Sequence, residues 1–444
     1  MSVTHITAIN PQDLRVPTSD ELLGSDPFHK KPDYSAVLTT INSSSGKSGV
    51  SVVFTIGAGN DWITYGIKQL TPLVQNITLD SFKENPGELY QTILNHHQLR
   101  WLGDGVYRMA MGGVLNAMWD LWAKDEEKPL WKLLVELSPD KVIDCIDWRH
   151  LEDALSKQEA LEILETNQSQ KTVAEKKLLE TGVKAYSTAG WLGLSDQQIL
   201  EKINQMKGDG FDAFKLKIGQ DLEFDKARFK FIREAIGPDS NLMLDANQFW
   251  GVDETIAYMR ELAHFDITWI EEPTSRDDVL GFDKISKALN PLGIHVAAGE
   301  QIQSPVIFKQ MLSSRAIQYA QIDACRIGGV NDVMAVILLA AKYNVPVCPH
   351  GGGIGLCNMI RHFAIWDQIC VAGHSNTQLV EYIDFLQDGV FENPVEISNG
   401  AYVLPSNPGW GLEMDHEFIE NHIYPNGSVW KDRQENSGVT FLVN

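Results

Sequence analysis

The chain has 444 residues, enough for a barrel of ~250 residues and a second domain. Its 22% charged and 43% hydrophobic residues exclude disordered and fibrous classes. A net charge of −22 argues against nucleic acid and anionic lipid as partners, so an anionic ligand needs local cations or a metal to overcome the field.

Residues 1 to about 60 alternate apolar and polar like strands, around a polar loop from Ser19 to Tyr34. From Gly105 to Leu134 the apolar residues recur at helical spacing, with Trp119, Trp122 and Trp131 read as core. Cys145-Ile146-Asp147 reads as a first barrel strand. Residues 151 to 182, rich in Glu, Gln and Lys, read as a helical insertion on the outside. Strand and helix then alternate from Tyr186 to about Val395, and an irregular tail with Pro405, Pro408 and Pro425 packs back on the N-terminal part. The five cysteines, Cys145, Cys325, Cys348, Cys357 and Cys370, include no Cys-x-x-Cys pair, which fits a reducing cytoplasm. The first eleven residues lack a signal-peptide pattern. The longest apolar run, Val333 to Ala341, is shorter than the ~18 residues of a membrane span.

Seven successive apolar runs end in ionisable residues: Lys215-Leu216-Lys217, Asp245-Ala246-Asn247, Glu271-Glu272-Pro273, Gly299-Glu300, Asp323, His350 and Glu381. Successive ends lie 23 to 31 residues apart, close to the roughly 30 that a (β/α)8 barrel spends on each unit. Such barrels gather their active sites from the C-terminal ends of the strands, so the spacing predicts one functional residue per strand.

Lys215 and Lys217, two apart on a strand, point to one face, and two close ammonium groups depress each other's pKa toward that of a usable base. Asp245, Glu271 and Glu300 form an all-oxygen ligand set suited to Mg²⁺, with Glu272 an ambiguous neighbour. Each acid alone is equally readable as a helix N-cap. Asp323 lies one strand from His350 and can fix its tautomer and raise its pKa. His96, His97, His150 and His362 lack comparable context. Gly46-Lys47-Ser48 has Ile41 where a P-loop needs glycine, and His350-Gly351-Gly352-Gly353 has no Gly-x-Ser-x-Gly elbow to accompany it.

The stretches Asp13-Leu14-Arg15-Val16-Pro17-Thr18-Ser19, Trp119-Asp120-Leu121-Trp122, Trp269-Ile270-Glu271-Glu272-Pro273 and Gln321-Ile322-Asp323 closely resemble the enolase superfamily. Within it they resemble the L-fuconate dehydratase group of acid-sugar dehydratases. The resemblance implies an α/β fold: an N-terminal α+β capping domain (1–140), a modified (β/α)8 barrel (141–395) and a C-terminal segment (396–444) packing on the cap. It implies Mg²⁺ on Asp245, Glu271 and Glu300, Lys217 as base, and His350 paired with Asp323 as acid. Lys215, Asn247 and Glu381, with Gly24, Ser25, Asp26 and Tyr34 from the capping loop, are implied substrate contacts. The implied reaction is dehydration of a sugar acid to a 2-keto-3-deoxy acid, with a homo-oligomer left open.

The chain departs from the group at Phe249, at Phe385-Leu386-Gln387-Asp388, and in the strand before Trp191, which reads as one residue short. If a phenylalanine faces the far end of the substrate, a 6-deoxy acid is favoured, L-rhamnonate before L-fuconate and L-galactonate. Two other readings compete: racemisation or epimerisation of a 2-hydroxy acid, and a barrel kept for a binding role.

Overall fold

The computed structural model describes residues 3–75, 77–373 and 378–437. Strands β1 (Ile6–Arg15), β2 (Tyr34–Ser43) and β3 (Ser48–Ile56) form an antiparallel sheet in that order. Six helices follow: α1 (Gly59–Val74), α2 (Leu79–Glu84), α3 (Pro86–Leu94), α4 (Val106–Asp125), α5 (Leu130–Glu136) and α6 (Pro139–Asp144). α4 lies along the sheet so closely that a Cβ on Gly49 would sit 2.1 Å from the Ala117 carbonyl, which explains a glycine near the start of β3. Trp119, Trp122 and Trp131 are buried, as their helical spacing implies.

Cys145-Ile146-Asp147 is not a strand. Ser138 accepts the Lys141 N–H and Pro139 opens α6, so the run becomes a helix end, with Cys145 as its C-cap. α7 (Lys157–Thr166) and α8 (Lys171–Thr181) fill the polar stretch and bury just Ala160, Leu164 and Leu178, as outer helices do.

The first barrel stave is β4 (Val183–Gly190). β5 (Ala213–Lys217), β6 (Asn241–Asp245), β7 (Ile267–Glu271), β8 (His295–Ala298) and β9 (Tyr319–Ala320) then pair in parallel, each with the next. The seventh stave, expected as a strand ending at His350, is a single parallel bridge between Ala320 and Val347. Pro346 and Pro349 lack the N–H donors that a longer ladder needs. The eighth, β10 (Val380–Tyr382), pairs with β4, and the Glu381 N–H to Pro349 carbonyl bond of 3.3 Å closes the ring. Helices α9 (Asp196–Gly208), α10 (Leu222–Ile236), α11 (Val252–Leu262), α12 (Val279–Leu289), α13 (Pro305–Ser313), α14 (Val330–Lys342) and α15 (Leu356–Cys370) follow the first seven staves. This gives seven βα units and a final strand. Among the described residues no helix is long and apolar enough to cross a membrane. The five cysteines are buried and form no disulfide with one another.

The segment after β10 divides. β11 (Ile397–Ser398) and β12 (Ala401–Tyr402) form a hairpin that pairs with the start of β4, so this part of the expected tail extends the barrel sheet. After α16 (His416–His422) the chain reaches the first sheet: Ile423 bridges Leu14, and the Trp430 indole donates to the Arg15 carbonyl at 2.9 Å. The Arg15 guanidinium lies 3.7 Å above the Tyr424 ring, ahead of α17 (Ser428–Ser437).

Arg108 of α4 is bolted to Asp332 of α14 at 2.5 Å, and Asp332 also accepts from Tyr90 and from the Gly328 N–H at 2.8 Å. Asp332 is buried, so removing the guanidinium strands a carboxylate in low dielectric. Arg108→Ala is expected to cost about 3–5 kcal/mol of unfolding free energy. Urea unfolding followed by tryptophan fluorescence measures it, and a loss under about 1 kcal/mol would refute the assignment.

Candidate active site at the barrel mouth

The ionisable run-ends converge. Carboxylate oxygens of Asp245, Glu271 and Glu300, from the ends of β6, β7 and β8, lie within 4.8 Å of one another and all three residues are buried. The backbone turns sharply behind them, with positive φ at Asn247, Gln248 and Glu272. That turn settles the ambiguous pair. Glu271 faces the cluster, while Glu272 turns away to accept the Gln248 side-chain amide at 3.0 Å.

Lys215 stands among carboxylates, 2.8 Å from both Glu271 and Glu381 and 3.4 Å from Asp245. Lys217 donates to Asp245 at 2.5 Å. The expected mutual depression of the two lysines is present but overcome. Burial and Lys215 both lower Lys217, yet Asp245 raises it further, and the pKa ends above the usual lysine value. Glu271 shows the converse: burial and the Asp245 carboxylate push it up to about 8. Two ammonium groups thus leave the buried acids short of positive charge. A carboxylate-only donor set with that deficit fits a hard divalent cation such as Mg²⁺.

Across the mouth, His350 Nδ1 meets Asp323 at 2.7 Å and Nε2 lies 3.3 Å from Glu300. Asp323 also accepts the Cys325 and Arg326 N–H groups, which fixes its rotamer. Burial alone would lower His350, but Glu300 and the Asp323 hydrogen bond outweigh it and hold the imidazole at about 9. It is therefore cationic at neutral pH, an acid with Nε2–H toward the cavity. Because the folded value exceeds the ordinary 6.5, its stabilising contribution is complete below pH 6.5 and lost as pH rises through 9. In chelator-containing buffer, wild type is expected to lose stability relative to His350→Asn between pH 6.5 and 9. Parallel pH profiles in urea would contradict this.

Lys217, Asn247, Glu300, His350 and Glu381 line a cavity of about 310 Å³ beneath the capping sheet. Lys215 does not reach its wall, because three carboxylates hold the ammonium below. Of the four capping-loop residues, Asp26 and Tyr34 face the cavity. Ser25 uses its hydroxyl on the Leu22 carbonyl and the Gly193 N–H, tying the loop to the barrel. Gly24, at φ +80, leaves room for the Tyr34 ring, which a Cβ would meet at 2.3 Å.

Neither Phe249 nor Phe385 lines the cavity. Phe249 is 40% exposed and meets Phe28 of the capping loop edge to face at 5.5 Å. Phe385 packs on Tyr34 and Trp191, each at 5.7 Å. The apolar surface invoked for a 6-deoxy acid is therefore elsewhere. The wall instead includes three residues missed in the sequence: His29, hydrogen-bonded to Asp26 at 2.9 Å, Trp191, whose ring lies 5.3 Å from the Lys217 ammonium, and Arg326. His29 and Trp191 sit within a few residues of quoted positions, and Arg326 directly follows Asp323-Ala324-Cys325. Proximity in sequence is the signal that could have found them.

Residues 198–418 match the family described as enolase C-terminal domain-like. The human protein called mitochondrial enolase superfamily member 1 is 44% identical over 96% of this chain and 97% of its own. Its crystal structure superposes with a TM-score of 0.95, covering 97% of this chain and 99% of that one. L-galactonate dehydratase of Hypocrea jecorina is 39% identical over 96% of this chain and 95% of its length. L-talarate/galactarate dehydratase of Salmonella typhimurium LT2, solved with Mg and L-lyxarohydroxamate, shares the fold at 22% identity and a TM-score of 0.72, over 94% and 92% of the two chains. With capping sheet, barrel and carboxylate cluster placed together, and relatives matched over nearly their whole length, this chain belongs to the enolase superfamily.

Proposed function

We propose that the protein is a Mg²⁺-dependent acid-sugar dehydratase that removes the C2 proton and the 3-hydroxyl of an aldonate to give a 2-keto-3-deoxy acid. The observation that carries the reading is the disposition of base and acid. Lys217 ends the second stave and His350 the seventh, so they face each other across the mouth, with the three carboxylates on the staves between. A relative named L-galactonate dehydratase, aligned over nearly the full length, supports the substrate class.

Asp245, Glu271 and Glu300 would hold Mg²⁺, which when bound would supply positive charge for the substrate carboxylate and offset the Asp245 charge that keeps Lys217 protonated. Lys217, once neutral, accepts the C2 proton, and the electron pair moves onto the carboxylate. That pair returns to form the C2–C3 double bond as the C3–O bond breaks, while His350 gives its Nε2 proton to the departing hydroxide as water. The enol then takes a proton at C3 and gives up the one on its C2 oxygen, becoming the 2-keto-3-deoxy acid. Asp323 keeps Nδ1 protonated, and Asn247 and Glu381 orient the oxygens near C1 and C2. Tyr34 and Asp26 cover the site, which excludes water from the carbanionic stage.

Incubation with a library of hexonates, including L-galactonate, L-fuconate and L-rhamnonate, tests this directly. One equivalent of 2-keto acid per substrate consumed is expected. A C2 epimer without keto acid would point to the racemase or epimerase reading instead, and no Mg²⁺-dependent turnover of any acid would refute catalysis on this class.

A further inference from the structure

Four basic side chains border the cavity: His29, Lys217, His350 and Arg326. The first three each have a carboxylate within hydrogen-bond reach, namely Asp26, Asp245 and Asp323. Among the described residues Arg326 has no carboxylate within ion-pair distance. Its Nε is buried without an acceptor, and its Nη1 faces the Met109 sulfur at 3.8 Å. A thioether is a weak acceptor, so a permanently charged guanidinium is held here almost unpaired. Met109 belongs to α4, so the group reaches toward the cap, above the floor formed by Glu300, His350 and Glu381. Its backbone is pinned by Asp323, the residue that orients His350, and this fixes the origin of the side chain relative to the reacting carbons.

We propose that Arg326 reads the far end of the substrate, donating to an oxygen beyond C4: a hydroxyl of a hexonate or the second carboxylate of a hexarate. This rests on the acid-sugar dehydratase reading. A planar fork without a protein partner selects for oxygen acceptors and against a short acid that cannot reach it. It takes the place expected for Phe249 or Phe385 at the far end of the substrate.

The test compares kcat/KM for L-galactonate, galactarate and the four-carbon L-threonate in wild type, Arg326→Met and Arg326→Lys, by 2-keto acid formation with Mg²⁺. In Arg326→Met the preference for at least one six-carbon acid over threonate is expected to fall about 10- to 100-fold, with partial recovery in Arg326→Lys. If threonate is not turned over, its inhibition constant replaces kcat/KM. Unchanged Mg²⁺-dependent thermal stabilisation shows that the variants are folded. Equal losses on all three acids would overturn the inference, since a merely structural arginine lowers them together. Calorimetric binding of L-galactonate separates the two readings: no keto acid from wild type defeats the dehydratase, whereas equal affinity in wild type and Arg326→Met defeats the role of Arg326.

Discussion

Glu271→Gln is expected to abolish turnover, with kcat reduced at least ~10³-fold, while leaving the cation-free protein close to wild-type stability. The two halves of this expectation have one cause. Without a cation, burial and Asp245 push the Glu271 carboxyl up to about 8, so at neutral pH it already carries a proton and glutamine is nearly its isostere. With Mg²⁺ the situation reverses: a ligand that should be anionic is neutral, and two charged carboxylates remain instead of three. Thermal melts without Mg²⁺ check the stability, and melts with it check the metal site, because binding to the native state alone raises the wild-type midpoint. A Mg²⁺-dependent shift equal to wild type, or full activity in excess chelator, would remove Glu271 from the metal site.

Lys217→Met and His350→Asn are expected to part company in deuterated water. The lysine variant should lose both C2 hydrogen exchange and elimination, each by ~10³-fold or more, because Lys215, the other lysine beside Asp245, is held by carboxylates and does not line the cavity. The histidine variant should lose elimination but keep measurable exchange at C2, since the proton can still leave and return through Lys217. NMR integration of the C2 proton beside a keto-acid assay reads both processes in one sample. Exchange that survives in the lysine variant and vanishes in the histidine variant would assign the two faces the other way round.

The barrel was legible because charge at the end of an apolar run is rare and the spacing repeated. Asp245, Glu271, Glu300, Asp323, His350 and Glu381 all lie at the mouth for that reason. Periodicity failed where a run was too short to carry any. Cys145-Ile146-Asp147 is three residues, and the Ser138-Pro139 cap decides its fate from upstream. Pro346 and Pro349 flank Val347-Cys348, and their missing N–H groups cut the ladder to one bridge in a run whose apolar residues read as a full strand. Phe249 and Phe385 pack away from the cavity because their neighbours, Phe28, Tyr34 and Trp191, come from distant parts of the chain. Alternation along a strand predicts a side chain's face, not which remote ring it will meet. The same holds for charge: two lysines on one strand suggest mutual repulsion, but the acids from β6, β7 and β10 decide the sign.

The clasp between Ile423 and Leu14, with Trp430 on Arg15, has a consequence for biosynthesis. Some 409 residues separate the bridged pair, so at roughly 5–20 residues per second about 20 to 80 s pass between their emergence from the ribosome. By the end of that interval all eight barrel staves have emerged and can pair, while β1 still waits for its outer partner. The nascent chain thus carries one unfinished edge strand for most of its synthesis, and that edge is where a chaperone is expected to hold it.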